Sequence, residues 1–201
     1  MSNQEKKEKR KSYRDRYFED YKKVKVPAKN KKGFRTDYQY VGLWKSWETG
    51  DDRPLWPIKK RMLYMEAGSI FLFVLPLLSG TALTTSRIAG GFGILSIAAW
   101  LVEITAFVRF LFKGVYIKEL SWDEIDKCFR IGCLWRAILV ALSVLAGLID
   151  VLIRGAVSVA DVPVALALLA SATLSLLVRK TYCGLYVSTY RNEDGKPGTR
   201  I

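Results

Sequence analysis

The chain has 201 residues, half of them apolar, and a formal net charge of +13 from 32 lysines and arginines against 19 acidic residues. That is room for one domain of ordinary size. Histidine is absent, which excludes Ser-His and Cys-His hydrolases, zinc peptidases, histidine-dependent phosphatases and di-iron carboxylate enzymes, all of which need imidazole as base or ligand. Cys128, Cys133 and Cys183 form no C-x-x-C pair and cannot complete a four-ligand zinc site without histidine, so they are expected to be structural; neither a metal nor a cofactor is expected.

Charge and hydropathy occupy different places. Residues 1–61 hold 19 of the basic residues against 9 acidic ones, too charged to be a secretory signal. Residues 4–25 read as an exposed helix, because Tyr13, Tyr17 and Tyr21 recur every fourth position among alternating charges. Pro27 and the run Lys29 to Gly33 break it. Tyr38, Tyr40, Trp44 and Trp47 then precede Gly50, Pro54, Trp56 and Pro57. Tryptophans just ahead of a span favour the membrane interface. Trp44, Trp47, Trp56, Lys59, Lys60 and Arg61 are therefore expected to contact lipid. Attraction of this arm to anionic headgroups contributes about 1 kcal/mol per basic residue near the surface. A protein partner is the second reading of the arm. Nucleic acid is disfavoured, since no binding motif accompanies the interleaved basic and aromatic residues.

Four apolar runs follow: Met62 to Thr85, Ile88 to Phe112, Cys133 to Ile153 and Val162 to Val178. Each approaches the roughly 20 residues that cross a bilayer core, and runs such as Ser69 to Thr85 lack the charged face of a surface helix. They predict two transmembrane hairpins, 62–112 and 133–178, with Pro76 and Gly80 bending the first helix. Between the hairpins, 113–132 reads as a cytosolic connection in which Ser121 and Glu124 form a capping box for a short interfacial helix, Trp122 to Arg130. Lys113, Lys118, Lys127 and Arg130 lie in or beside it, and the tail 179–201 adds Arg179, Lys180, Arg191, Lys196 and Arg200, whereas the two outer connections carry only Arg87 and Arg154. Positive charge on the inside then puts both termini in the cytosol, as expected for a bacterial cytoplasmic membrane.

The end of the second hairpin echoes the end of the first at an offset of 70 residues. Val108, Arg109, Gly114 and Tyr116 correspond to Val178, Arg179, Gly184 and Tyr186. Duplication explains this, and so does convergence on one interface chemistry. The same offset serves as a depth ruler inside the membrane, where ionisable groups are costly. It sets Glu103 opposite Thr173, as intramembrane polar candidates, and Glu66 opposite Arg136, predicting an interhelical ion pair. Asp150 and Arg154 are four apart on one helix and are expected to pair along it, while Arg109 and Arg179 snorkel to headgroups. Small residues four apart, among them Ala89/Gly93, Ala137/Ala141, Ser143/Gly147 and Ala167/Ser171/Ser175, allow close helix approach.

These features predict an all-α, four-helix integral membrane bundle of two parallel hairpins with a basic cytosolic arm. The function expected is a non-catalytic accessory or docking component contacting anionic lipid or a protein partner. The alternative is a small homo-oligomeric transporter or channel using Glu103. No pair of carboxylates or metal cluster suggests an enzyme acting on lipid, since Asp123, Glu124 and Asp126 look like a first helical turn, where acids favour the dipole.

Overall fold

A computed structural model describes residues 18–27, 34–49, 54–156, 158–193 and 196–201. The chain is mostly helical, and its described residues also form six strands, β1 (Tyr21–Pro27), β2 (Phe34–Tyr40), β3 (Trp44–Glu48), β4 (Tyr116–Lys118), β5 (Tyr186–Glu193) and β6 (Lys196–Arg200). The helices are α1 (Leu55–Leu77), the single turn α2 (Ala82–Thr85), α3 (Arg87–Phe112), α4 (Glu119–Ile153) and α5 (Asp161–Cys183). They form two compact units, one of residues 1–47, 114–123 and 187–201, the other of 48–113 and 124–186.

The first unit corrects the all-α expectation. β1 and β2 pair antiparallel from Tyr21↔Tyr40 to Pro27↔Phe34, and a four-stranded sheet runs in the order β4-β3-β5-β6. The helix expected over 4–25 gives way to a strand from Tyr21, because Val24 and Val26 alternate with Lys23 and Lys25, a period-two pattern that outweighs the tyrosine spacing. Tyr13, Tyr17 and the run Lys29 to Gly33 lie outside the described residues. The tail is likewise strand, with Val187 and Thr189 supplying β-branched residues to β5. Tyr40 ties the two sheets together: its hydroxyl donates to Leu43 O at 2.7 Å, and Asn192 Nδ2 donates to Tyr40 O at 2.8 Å. Burial pushes the Tyr40 phenol up to about 12.

In the second unit α1 packs along α5. One end of the core is Leu83, Val140, Val144, Val151, Leu168 and their neighbours; the other is an aromatic cluster, with the Phe129 and Tyr182 rings 4.4 Å apart and Phe110 and Tyr182 5.4 Å apart. Large apolar side chains such as Ile94, Leu101, Leu145 and Leu166 point outward. Among the described residues three helices, α3, α4 and α5, are long and apolar enough to cross a membrane.

Helix boundaries differ from expectation in two places. α1 starts at Leu55 and stops at Leu77, one residue past Pro76, with Gly80 at φ 62° turning the chain before α2. The bend expected in one long helix is thus a break, since proline withholds an amide and Gly80 takes a backbone conformation other residues resist. The interfacial helix expected over Trp122 to Arg130 is not separate: α4 runs unbroken for 35 residues, so Ser121 lies inside the helix and not at its cap.

Two helices approach closely at Gly132 of α4. A Cβ there would lie 2.9 Å from Glu103 N and 3.0 Å from Glu103 Cα, so α3 backbone fills the space. Gly90 of α3 has nothing within 4 Å of that position. We expect Gly132→Ala to cost about 1–3 kcal/mol of stability through overpacking, and Gly90→Ala to be neutral or stabilising, as read by thermal unfolding in mild detergent.

Candidate functional site

Every long helix sends a polar side chain to one buried point. Glu66 and Ser69 come from α1, Trp100 and Glu103 from α3, Cys133 and Arg136 from α4, and Ser171 and Ser175 from α5. Their spacings of three or four residues put each pair on one helix face. Glu66, Glu103 and Arg136 are 1%, 0% and 2% exposed. A guanidinium so far from water must be met by acceptors on all sides.

Arg136 Nη1 donates to Glu66 Oε1 at 3.1 Å and to Glu103 Oε2 at 3.3 Å. Nη2 donates to Ser69 Oγ at 2.8 Å and reaches Ser171 Oγ at 3.5 Å. Trp100 Nε1 gives a second hydrogen bond to Glu66 Oε1 at 3.1 Å, and Ser175 Oγ donates to Glu103 Oε1 at 2.9 Å. Ser69 and Ser171 lock α1 to α5 by donating to each other's backbone carbonyls at 2.9 and 2.7 Å. A cavity of about 160 Å³ with Ile70, Phe73, Ile97 and Trp100 in its wall reaches Arg136 from one side.

The structure therefore brings Glu66 and Arg136, 70 residues apart, into contact, and it adds Glu103 to the same nitrogen. Thr173 does not join. It is exposed and donates to Leu169 O of its own helix at 2.9 Å, while Ser175 is the residue of α5 that reaches Glu103. Ser69, Trp100, Ser171 and Ser175 are the members of the site that sequence reasoning missed as polar partners; Ser69 lies three positions from Glu66, and Trp100 three from Glu103, on the faces those charges define. Asp150 and Arg154 pair at 2.9 Å along α4.

The expected lipid contacts separate. Trp56 is well exposed, and Lys60 and Arg61 are exposed beside it. Trp47 is buried and Trp44 is half-buried, its ring 5.3 Å from that of Tyr40. Lys59 is buried too and donates to Leu111 O and Lys113 O, both at 3.3 Å; it supplies the cation that the last carbonyls of α3 favour. Arg109 is exposed and reaches Glu124 at 3.5 Å, and Arg179 donates to Arg130 O at 3.2 Å.

Among the described residues, no three His, Cys, Asp or Glu side chains are grouped to hold a metal. The chain matches no protein family, no curated protein and no solved structure.

Removing Arg136 leaves two buried carboxyls facing each other without their cation. Arg136→Met is expected to cost about 3–5 kcal/mol, and adding Glu66→Gln to it should recover part of the loss. A double-mutant cycle by thermal unfolding in detergent should give a coupling of about 0.5–3 kcal/mol; additive effects would mean the two side chains do not act on each other.

Proposed function

We propose that the chain is a four-span integral membrane protein with both ends on the cytosolic side, acting as a non-catalytic accessory or docking component. One observation carries the topology. β3 precedes α1, β4 follows α3 and β5 follows α5, yet all three strands belong to one sheet, with β3 in the middle. Strands of one sheet lie on one side of a membrane. If α3 crosses, α1 must cross back, and the pair α4 and α5 must do the same. On this reading α1 is the fourth span, despite Lys59, Lys60 and Arg61 in its first turns. The side is set by lysine and arginine, which crowd the segments that feed the sheet and spare the outer connections.

The accessory role rests on where the buried polar groups point. Arg136 and both oxygens of Glu103 find their partners on the chain's own helices, and Arg136, Glu66 and Glu103 are each at most 2% exposed. That supports a bundle built to hold its shape. A transport path through Glu103 would require breaking its bonds to Arg136 and Ser175.

The chain's own cysteines test the topology. Cys128 and Cys183 are exposed and Cys133 is buried, and the exposed pair flank the cytosolic ends of α4 and α5. A membrane-impermeant maleimide should leave intact cells unlabelled and modify both after permeabilisation; labelling from outside would reverse the orientation.

For the docking role, purification in mild detergent with cross-linking and mass determination should recover a second protein in stoichiometric amount. A discrete homo-oligomer whose ion flux in liposomes is lost on Glu103→Gln would replace this reading with the channel.

A further inference from the structure

An open-sided groove of about 300 Å³ lies between the last turns of α3 and the first turns of α4. Ala106 of α3 and Ile125 of α4 make its floor, 2% and 1% exposed, and the exposed side chains of Leu101 and Val102 line its deeper end. Arg109 and Glu124 line the other end. On α3, positions 102, 105 and 109 share a face, and Leu101 is eight residues, about 12 Å along the helix, from Arg109. The groove therefore runs down from a charged rim onto apolar surface, with the methyl group of Ala106 leaving the recess unfilled.

The rim has cationic donors to spare. Arg109 has a side chain 55% exposed, and its one partner among the described residues is Glu124, with Nη1 3.5 Å from Oε2. None of the described residues accepts from its Nε or Nη2. Glu124 is the one acidic side chain lining the groove, and Lys127, three positions further along α4, is exposed beside it. A guanidinium offers paired donors that match phosphate oxygens, while its stem covers apolar surface. The second hairpin does not repeat this arrangement: 70 residues on, Leu176 stands in place of Ala106 and Arg179 Nε is bonded to Arg130 O at 3.2 Å. A basic residue at a membrane exit needs no recess beneath it, so the groove at Arg109 is more than a topology signal.

We propose that this groove binds one anionic glycerophospholipid of the cytosolic leaflet, with its phosphate on Arg109 and an acyl chain lying over Ala106 toward Leu101. The apolar floor selects a lipid over a free anion, which would leave that surface uncovered. Charge selects among lipids, because a zwitterionic headgroup brings its own cation against Arg109 and Lys127. The site rests on the four-span reading above, which puts these ends of α3 and α4 at the cytosolic headgroups, and it gives the lipid contact of that reading a place and a stoichiometry of one.

Photo-cross-linking of the full-length chain in phosphatidylcholine vesicles tests the site. Trace phosphatidylglycerol or phosphatidylcholine carries a diazirine in one acyl chain, and labelled peptides are read by mass spectrometry. We expect the phosphatidylglycerol probe to label 101–106 and 124–128 about five-fold more than the phosphatidylcholine probe, the preference that one basic residue near the surface confers. Arg109→Gln should abolish the preference and Arg109→Lys should keep most of it, both with Tm within about 2 °C of the wild type. Thr105→Trp, at an exposed position of the groove wall, should fill the recess and lower labelling there by both probes. Equal labelling of the wild-type groove by the two probes, an unchanged preference in Arg109→Gln, or labelling indifferent to Thr105→Trp would overturn the proposal. Peptides around Leu145 and Leu166 should be labelled by both probes alike, which reports insertion by itself. Its absence would overturn the four-span reading and the site with it, whereas its presence without a preference at the groove would overturn the lipid site alone.

Discussion

Arg136 is the constraint on which the helical unit turns. An arginine at this depth is tolerated only if its donors are met without water, and no single neighbouring helix can do that. Glu66 and Ser69 meet it from α1, Glu103 from α3 and Ser171 from α5. Gly132, one turn before Arg136 on the same face of α4, makes the geometry possible, because its missing side chain lets the backbone at Glu103 come close. The guanidinium thus specifies how the helices are arranged, and the small residue beside it lets them approach closely enough to comply. Lipid-like surfaces sliding past one another carry no such register.

The 70-residue offset gains physical content from the same contact. Glu66 and Arg136, related by that offset, meet with Arg136 Nη1 3.1 Å from Glu66 Oε1. The helix exits follow the same offset, with a bend at Val115 and Leu185 and a strand beginning at Tyr116 and Tyr186. Those strands, β4 and β5, lie on either side of β3. The echo in the sequence therefore marks two helix-to-strand exits that enter one sheet.

The long helices and the Glu66–Arg136 contact were legible because both follow from spacing: apolar runs of membrane length, and a constant offset between charges. The sheets were not. Tyr21 of β1 ends a run of tyrosines at every fourth position that competes with the valines at every second, and pairing with β2 decides for the strand over 21–27. β4 is three residues long and has no pattern by itself; it is a strand because β3 is beside it. Trp100 and Ser175 are not legible as polar partners for a related reason. An indole and a hydroxyl in an apolar run look like packing until a carboxyl on another helix is found within reach.

The basic character of the N-terminal arm also looks different once its side chains are placed. Lys45 pairs with Glu119 at 3.0 Å and lies 4.3 Å from the centre of the Trp122 ring. Lys23 stands over Tyr38, and Lys59 is spent on the carbonyls that end α3. Each such engagement fixes a charge within the fold and reduces its pull on a headgroup, so the arm's charge count overstates its electrostatic attraction to lipid. At the start of α1, Trp56, Lys60 and Arg61 remain outward, with Trp56 and Lys60 one turn apart. A ring beside cations at a helix end is chemistry that favours a headgroup interface, and in this chain it lies in the first turns of α1.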